Sequence, residues 1–160
     1  MRGFAATGFL LPAAALGSGE GVVGATEPAL SADYFVETLY PLLEQAQCRQ
    51  CHNRNGVTAR TRLRFPPGGA SAADISLFGL ALGVLADRVE PEQSLLLRKP
   101  TARTAHTGGE RIRRDSAGEQ ALRKWARHLA ALPEDDIRAA LAERRRRDGG
   151  DGTDGQLRRL

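Results

Sequence analysis

The stretch that most constrains this chain is Cys48-Arg49-Gln50-Cys51-His52. C-x-x-C-H is the attachment pattern of a c-type haem, in which two thiols add to the haem vinyl groups and the adjacent imidazole binds the iron. Side chains three residues apart share one face of a helix, so both thiols reach neighbouring vinyl groups while His52 turns toward the metal. The pattern therefore predicts one covalent haem c, attached through Cys48 and Cys51, with His52 as the proximal iron ligand.

Three other uses of the two cysteines compete with this prediction. A redox dithiol of the thioredoxin type is expected in a βαβ context, and no alternating strand pattern surrounds the pair. A zinc site needs four ligands, and because Cys48 and Cys51 are the only cysteines, it would recruit histidines. Those available are His52, His106 and His128, at spacings unlike those of zinc fingers. We expect haem attachment, and a local disulfide or a metal site is the alternative.

Residues 1–25 have the composition of an export signal. Arg2 gives a short positive start, residues 3–16 form an apolar stretch, and Val23-Gly24-Ala25 is a small-residue cleavage site. The apolar stretch is too short and too interrupted for a membrane-spanning helix. We therefore expect cleavage after Ala25, a periplasmic location and no stable membrane span, with an uncleaved anchor as the alternative. Export agrees with the first motif, because c-type haem is attached outside the cytoplasm.

The composition fits one small domain and gives no indication of nucleic-acid binding. Hydrophobic residues make up 41% of the 160, enough for a modest core to which a haem would add a large apolar surface. The formal net charge is +4, from 23 basic and 19 acidic residues, and no nucleic-acid recognition motif accompanies it. The expected partner is a redox protein whose identity the sequence does not specify.

Hydrophobic periodicity predicts helices and no strands. A first helix spans residues 31–46, and Pro41 is expected to kink it. A second helix spans residues 71–89 and carries Gly79 and Gly83, which permit close approach of another backbone or of the haem.

The second half of the chain predicts two more helical pieces and then a polar end. Residues 91–97 form a short turn of helix, and a capping box at residues 116–119 begins a third long helix that ends at Leu132. Its apolar face carries Trp125, the sole tryptophan. From residue 133 to residue 160 the chain is polar and rich in arginine, which predicts a disordered tail. We expect an all-α, cytochrome c-like domain in which the first and third long helices pack together and the rest closes over the haem.

Residues 53–69 form a predicted loop in which Leu63 and Phe65 alternate with Arg62 and Arg64. The favoured interpretation is an extended segment with one apolar and one polar face. The alternative is that Arg62 or Arg64 pairs with a haem propionate, because a guanidinium group binds a carboxylate in a bidentate manner.

The second axial ligand decides what the haem can do. Electron carriers use Met or His there, and gas binders leave the position open. The only methionine is Met1, which belongs to the expected signal, so a Met-ligated haem is excluded. His106 lies in a glycine-containing loop that can present an imidazole, whereas His128 lies at the margin of the third helix. We expect His106 as the distal ligand, ahead of an open or water-bound site.

Several motifs together resemble those of the planctomycete-type cytochrome c domain. The resemblance covers about residues 34–132 and rests on the following segments: Tyr40-Pro41-Leu42-Leu43, Cys48-x-x-Cys51-His52-Asn53, Ser94-Leu95-Leu96-Leu97-Arg98-Lys99-Pro100-Thr101, His106-x-Gly108-Gly109-x-Arg111 and Ser116 to Trp125. It implies a haem module in which His106 and the two following glycines belong to the haem pocket. In that family the domain usually stands near the N-terminus of large exported proteins. A chain that ends at Leu160 is therefore expected to be free-standing or truncated.

These observations predict a signal peptide (1–25), a cytochrome c-like haem domain (26–132) and a polar tail (133–160). The expected function is single-electron transfer through one haem c with bis-His ligation, and not an enzymatic activity, because no catalytic carboxylate pair or Ser/His/Asp arrangement is evident. A haem-based sensor with an open distal site is one alternative, and the electron-delivery domain of a larger enzyme, now missing its C-terminal portion, is another.

Overall fold

The fold of the described residues is entirely helical. The computed structural model describes residues 30–56 and 63–157, and within these ranges it contains helices, turns and loops but no strand. The predicted all-α class is therefore confirmed. The expected signal peptide (1–25) and Arg62 lie outside the described residues. No helix in the described part of the chain is long and apolar enough to cross a membrane.

The first helical segment changes its winding just before a proline. It consists of α1 (Ala32–Tyr34), a π-helical turn (Phe35–Leu39) and α2 (Tyr40–Gln45). At its start, the Tyr34 N–H donates to Ser31 Oγ at 3.4 Å, which caps the helix. Pro41 has no N–H, and its ring collides with the carbonyl four residues earlier, so a regular α-helix cannot pass through this position without change. The expected irregularity at Pro41 therefore takes the form of a wider π-helical turn.

The attachment sequence forms a short helix of its own, α3 (Cys48–Cys51). Gln47 separates it from α2 and has a left-handed backbone with φ 60°. The His52 N–H donates to the Cys48 carbonyl at 3.0 Å and so closes the turn that presents both cysteines. The chain then folds back so tightly that a Cβ at Gly56 would overlap the Cys51 carbonyl.

The second predicted helix is present but ends early. It comprises α4 (Ala72–Ala81), capped by Ser71, and a 3₁₀ turn (Leu82–Leu85). It was expected to reach Val89, but the Asp87 N–H donates instead to Ser94 Oγ at 2.9 Å. The Asp87 carboxylate in turn accepts from the N–H groups of Val89 and Glu90. These side chains offer the backbone an alternative to helical hydrogen bonds.

Gly79 and Gly83 are both closely approached by other parts of the protein, and the groups that approach them are side chains. A Cβ on Gly79 would lie 2.5 Å from the Phe35 ring, and a Cβ on Gly83 would overlap the Ile137 side chain. The expected close neighbour was another backbone or the haem. Gly79 instead allows α4 to pack closely against the first helical segment, and Gly83 allows the following 3₁₀ turn to pack closely against the last helix.

Two further helices follow in the order that the sequence predicted. A 3₁₀ turn (Pro91–Gln93) leads into α5 (Leu95–Arg98), where Leu96 and Leu97 are buried and Leu95 is exposed. The long helix α6 (Ala117–Ala131) begins at Ser116, whose Oγ accepts from the Glu119 N–H at 3.2 Å. The Glu119 carboxylate accepts from the N–H of Asp115, one residue earlier than an ideal capping box would use.

Trp125 joins α6 to the first helical segment. Its ring centroid lies 5.2 Å from that of Phe35 and 6.4 Å from that of Tyr34. Its indole N–H donates to the Gly79 carbonyl at 3.3 Å. The expected packing of the first and third long helices is therefore confirmed.

The end of the chain differs from the disordered tail expected over residues 133–160. It forms α7 (Glu134–Leu157), which packs against α4. Ile137 and Ala140 are buried on this helix, and three acidic residues in its first turn favour its N-terminal end. Charged side chains also take part in this contact, because the Arg144 guanidinium lies 4.7 Å from the Phe78 ring centre and Arg147 pairs with Asp74 of α4 at 2.7 Å.

Candidate functional site

The two cysteines lie side by side on α3, at the edge of the core. Both side chains are half-buried, and Cys48 packs against the hydrophobic cluster. Burial raises the pKa of the Cys48 thiol to about 11, and the nearby positive charge of Arg111 opposes this only in part. A reactive dithiol needs a lowered thiol pKa, so the environment of Cys48 is unfavourable to a thioredoxin-type use of the pair.

The His52 side chain is held by the loop that returns to α3. Its Nδ1 lies 3.1 Å from the Leu63 carbonyl oxygen, and because a carbonyl can only accept, Nδ1 carries the proton. The His52 carbonyl accepts from the Phe65 N–H at 2.8 Å. Burial lowers the pKa of His52, which favours the neutral imidazole that binds metals.

The His106 side chain is also held by a backbone carbonyl. Its Nδ1 lies 3.0 Å from the carbonyl oxygen of Gly109, and its own carbonyl accepts from the Gly109 N–H at 2.9 Å. Gly109 has a φ of +68°, a conformation that favours glycine. A Cβ on Gly108 would lie 3.0 Å from the His106 ring. The two glycines thus form a tight turn that fits closely around the imidazole.

The imidazole rings of His52 and His106 lie close together and are nearly parallel. Their ring centroids are 6.2 Å apart and their planes differ by 14°. A bond from a transition metal to an imidazole nitrogen is about 2 Å long, so two imidazoles on opposite sides of one ion have centroids roughly 6 Å apart. The separation also lies within the range of an ordinary ring pair.

The hydrogen bonds of both imidazoles are of the kind that metal-binding histidines make. A histidine that binds a metal through one nitrogen almost always donates from the other to a carbonyl or carboxylate. The Nδ1 atoms of His52 and His106 both lie within hydrogen-bond distance of a carbonyl, so Nε2 would be the ligating atom of each ring if a metal were bound. Together with two thiols on the adjacent α3, this donor set fits a c-type haem held between the two rings.

The other predicted candidates lie elsewhere. The His128 ring packs on Trp125 with centroids 4.7 Å apart, so it belongs to the face of α6. Arg64 forms an ion pair with Asp148 of α7 at 2.7 Å, which engages its guanidinium without a propionate. Phe65 is buried and Leu63 is half-buried, in agreement with an extended segment that has one apolar face.

Two contributors to the site could not be identified from the sequence. The Leu63 carbonyl is a backbone group, and no residue type marks it. Arg49 lies between the cysteines in the motif, but its contacts with Tyr40 and Pro66 depend on the fold.

The chain was also compared with protein-family models, with curated proteins and with solved structures, and none of the three comparisons found a match.

Proposed function

We propose that this chain is an exported c-type cytochrome that carries single electrons on one covalent haem. Cys48 and Cys51 would hold the haem through thioethers, and His52 and His106 would bind its iron. The haem, when bound, supplies a one-electron ferric/ferrous couple. The observation that carries the proposal is the pair of opposed imidazoles, 6.2 Å apart, each with Nδ1 bonded to a backbone carbonyl.

The ligands of the proposed haem and their hydrogen bonds determine whether its midpoint potential is high or low. A carbonyl that accepts from Nδ1 raises the basicity of the ligating nitrogen, and a more basic ligand stabilises the ferric state. Two imidazole ligands stabilise the ferric state better than an imidazole and a thioether. We therefore expect a midpoint potential below that of ordinary His/Met cytochromes.

The proposal also covers the cellular location of the protein and its redox partner. The motifs that resemble the planctomycete-type cytochrome c domain and the signal-like residues 1–25 support a haem protein that works in the periplasm. Its partner is a redox protein, and the chain can serve alone or as the electron-delivery domain of a larger enzyme.

A haem-based sensor is the second candidate, and the position of His106 favours it. This residue lies in a loop between α5 and α6, half-exposed, where it is held by a single glycine-rich turn. A distal ligand held in this way can leave the iron and admit a small molecule. Rapid binding of carbon monoxide by the ferrous protein would favour the sensor over the carrier.

The test is expression of the full chain in a periplasm with the c-haem maturation machinery. The expected product keeps its haem through a denaturing gel and gains the mass of one haem, whereas the Cys48→Ser/Cys51→Ser double variant retains none. A colourless wild-type protein would refute the proposal and leave a Cys48–Cys51 disulfide as the use of the pair.

A further inference from the structure

Arg49, the first variable residue of the attachment motif, joins three segments of the chain. Its Nε donates to both carboxylate oxygens of Glu44, at 2.9 and 3.0 Å. Its Nη1 donates to the Pro66 carbonyl, and its Nη2 donates to the Tyr40 hydroxyl. The guanidinium carbon also lies 5.3 Å from the centre of the Phe65 ring. One side chain therefore ties α3 to α2 and to the returning loop.

The contact with Pro66 connects Arg49 to the proximal histidine. The extended residues 63–66 meet His52 at two points, through the Leu63 carbonyl on Nδ1 and through the Phe65 N–H on the His52 carbonyl. Arg49 holds the same residues at a third point, at the Pro66 carbonyl. The position of the acceptor on His52 Nδ1 thus depends on where Arg49 fixes the loop.

We infer that Arg49 is a positioning residue for His52: it holds the loop whose Leu63 carbonyl sets the tautomer, orientation and basicity of that imidazole. Only a planar, five-donor guanidinium can serve Glu44, Pro66 and Tyr40 at once, so neither Lys nor Gln can replace it. The redox consequence rests on the proposed haem function, whereas the effect on the His52 tautomer concerns the chain with or without haem.

The neighbouring Arg54 provides a matched control. Both arginines line a cleft of about 460 Å³ beside α3. Within the described part of the chain, Arg54 contacts Asp148 of α7, and its side chain is 52% exposed. Arg54→Gln therefore removes the same charge from the same cleft but leaves the contacts of residues 63–66 with Arg49 intact. A purely electrostatic effect would be similar in the two variants.

The test compares wild type, Arg49→Gln, Arg49→Lys and Arg54→Gln as full-length, haem-loaded proteins. In the diamagnetic ferrous form, NMR measures the exchange rate of the His52 Nδ1 proton, and a redox titration gives the midpoint potential. Both Arg49 variants are expected to exchange that proton faster and to shift the potential upward. If the preference for ferric over ferrous iron falls tenfold, the shift is about 59 mV for a one-electron couple. Arg54→Gln is expected to leave the exchange rate unchanged.

Unchanged exchange in the Arg49 variants, or equal changes in Arg54→Gln, would overturn the inference. If the Arg49 variants do not fold, Tyr40→Phe removes one partner of Arg49 and is expected to cause a smaller change of the same sign. If the wild type carries no haem, the proposed function fails, but the inference is still tested by ¹⁵N NMR of the haem-free chain. His52 is then expected to be the Nδ1–H tautomer in wild type and a mixture of tautomers in Arg49→Gln.

Discussion

Glu119 is the buried charge on which the packing of α6 most depends. Its side chain is 1% exposed, and its carboxylate accepts from Arg103, from Arg123 at 2.8 Å and from the Asp115 N–H at 2.6 Å. The hydrogen bond from Arg103 is the main cause that lowers the pKa of Glu119 from 4.5 to about 2, against the opposing effect of burial. We predict that Glu119→Gln destabilises the fold while keeping the size of the side chain.

The size of the loss follows from the pKa. Each pKa unit corresponds to about 1.4 kcal/mol, so the full shift is worth about 3 kcal/mol. Because the two arginine side chains are 31% and 34% exposed, solvent screening reduces this, and we expect a loss of about 2 kcal/mol at neutral pH. Folding lowers this pKa, so the stabilisation is complete above 4.5 and is lost as the pH falls toward 2. The difference between wild type and Glu119→Gln should therefore shrink to about half by pH 3.

Urea unfolding of the two proteins, followed by circular dichroism across this pH range, measures the difference directly. The matched control is Glu92→Gln, since Glu92 also pairs with Arg123 but is 40% exposed. An exposed pair contributes about 0–1 kcal/mol, so this variant should be nearly as stable as wild type. Equal losses in the two variants, or a loss in Glu119→Gln that does not change between neutral pH and about pH 3, would refute the reasoning.

Two further predictions concern the contacts of α4. Gly79→Ala would place a Cβ 2.5 Å from the Phe35 ring, and the overpacking outweighs the gain in helix propensity, so thermal unfolding should show a net loss of about 1–2 kcal/mol. Gly68→Ala, where a Cβ meets nothing within 4 Å, should be neutral in the same assay, and equal effects would contradict the close packing. Ile137→Ala removes a 6% exposed side chain that packs against Gly83, so urea unfolding should show a loss of about 2–4 kcal/mol. No loss there would mean that α7 is not part of the core.

The starts of the three long helices were predictable, and so were the ends of the first and the third, but the end of the second was not. Ser31, Ser71 and Ser116 each accept a hydrogen bond from an N–H of the following turn, as the local sequence indicates. The second helix was expected to reach Val89, but Ser94 takes a backbone N–H from the segment before it. Such a contact depends on how the chain turns between residues 87 and 94, and hydrophobic periodicity gives no sign of that turn.

The disordered tail that was expected over residues 133–160 is wrong for a related reason, since residues 134–157 form a helix. Residues 133–160 are polar on average, and average polarity predicts solvation. In the structure Ile137 and Ala140 are buried, Gly83 leaves room for the Ile137 side chain, and Arg147 pairs with Asp74 of α4. The complementary surface lies more than fifty residues earlier in the chain, where a local reading of the tail cannot include it.

For the proposed site, the sequence indicates candidate ligands but not the groups that orient them. Two cysteines, three histidines and one methionine leave few choices of ligand, so His52 and His106 could be selected by residue type and spacing. Their Nδ1 partners are backbone carbonyls, at Leu63 and Gly109, and every residue has a carbonyl. Their positions depend on the fold.

The most direct test of the central claim is the absorption spectrum of the haem-loaded protein, oxidised and reduced, in wild type, His106→Ala and His128→Ala. A bis-His haem is low-spin, so wild type and His128→Ala should have low-spin spectra, and His106→Ala should turn high-spin as the distal ligand is lost. A low-spin spectrum that His106→Ala leaves unchanged would remove His106 from the iron and contradict the account.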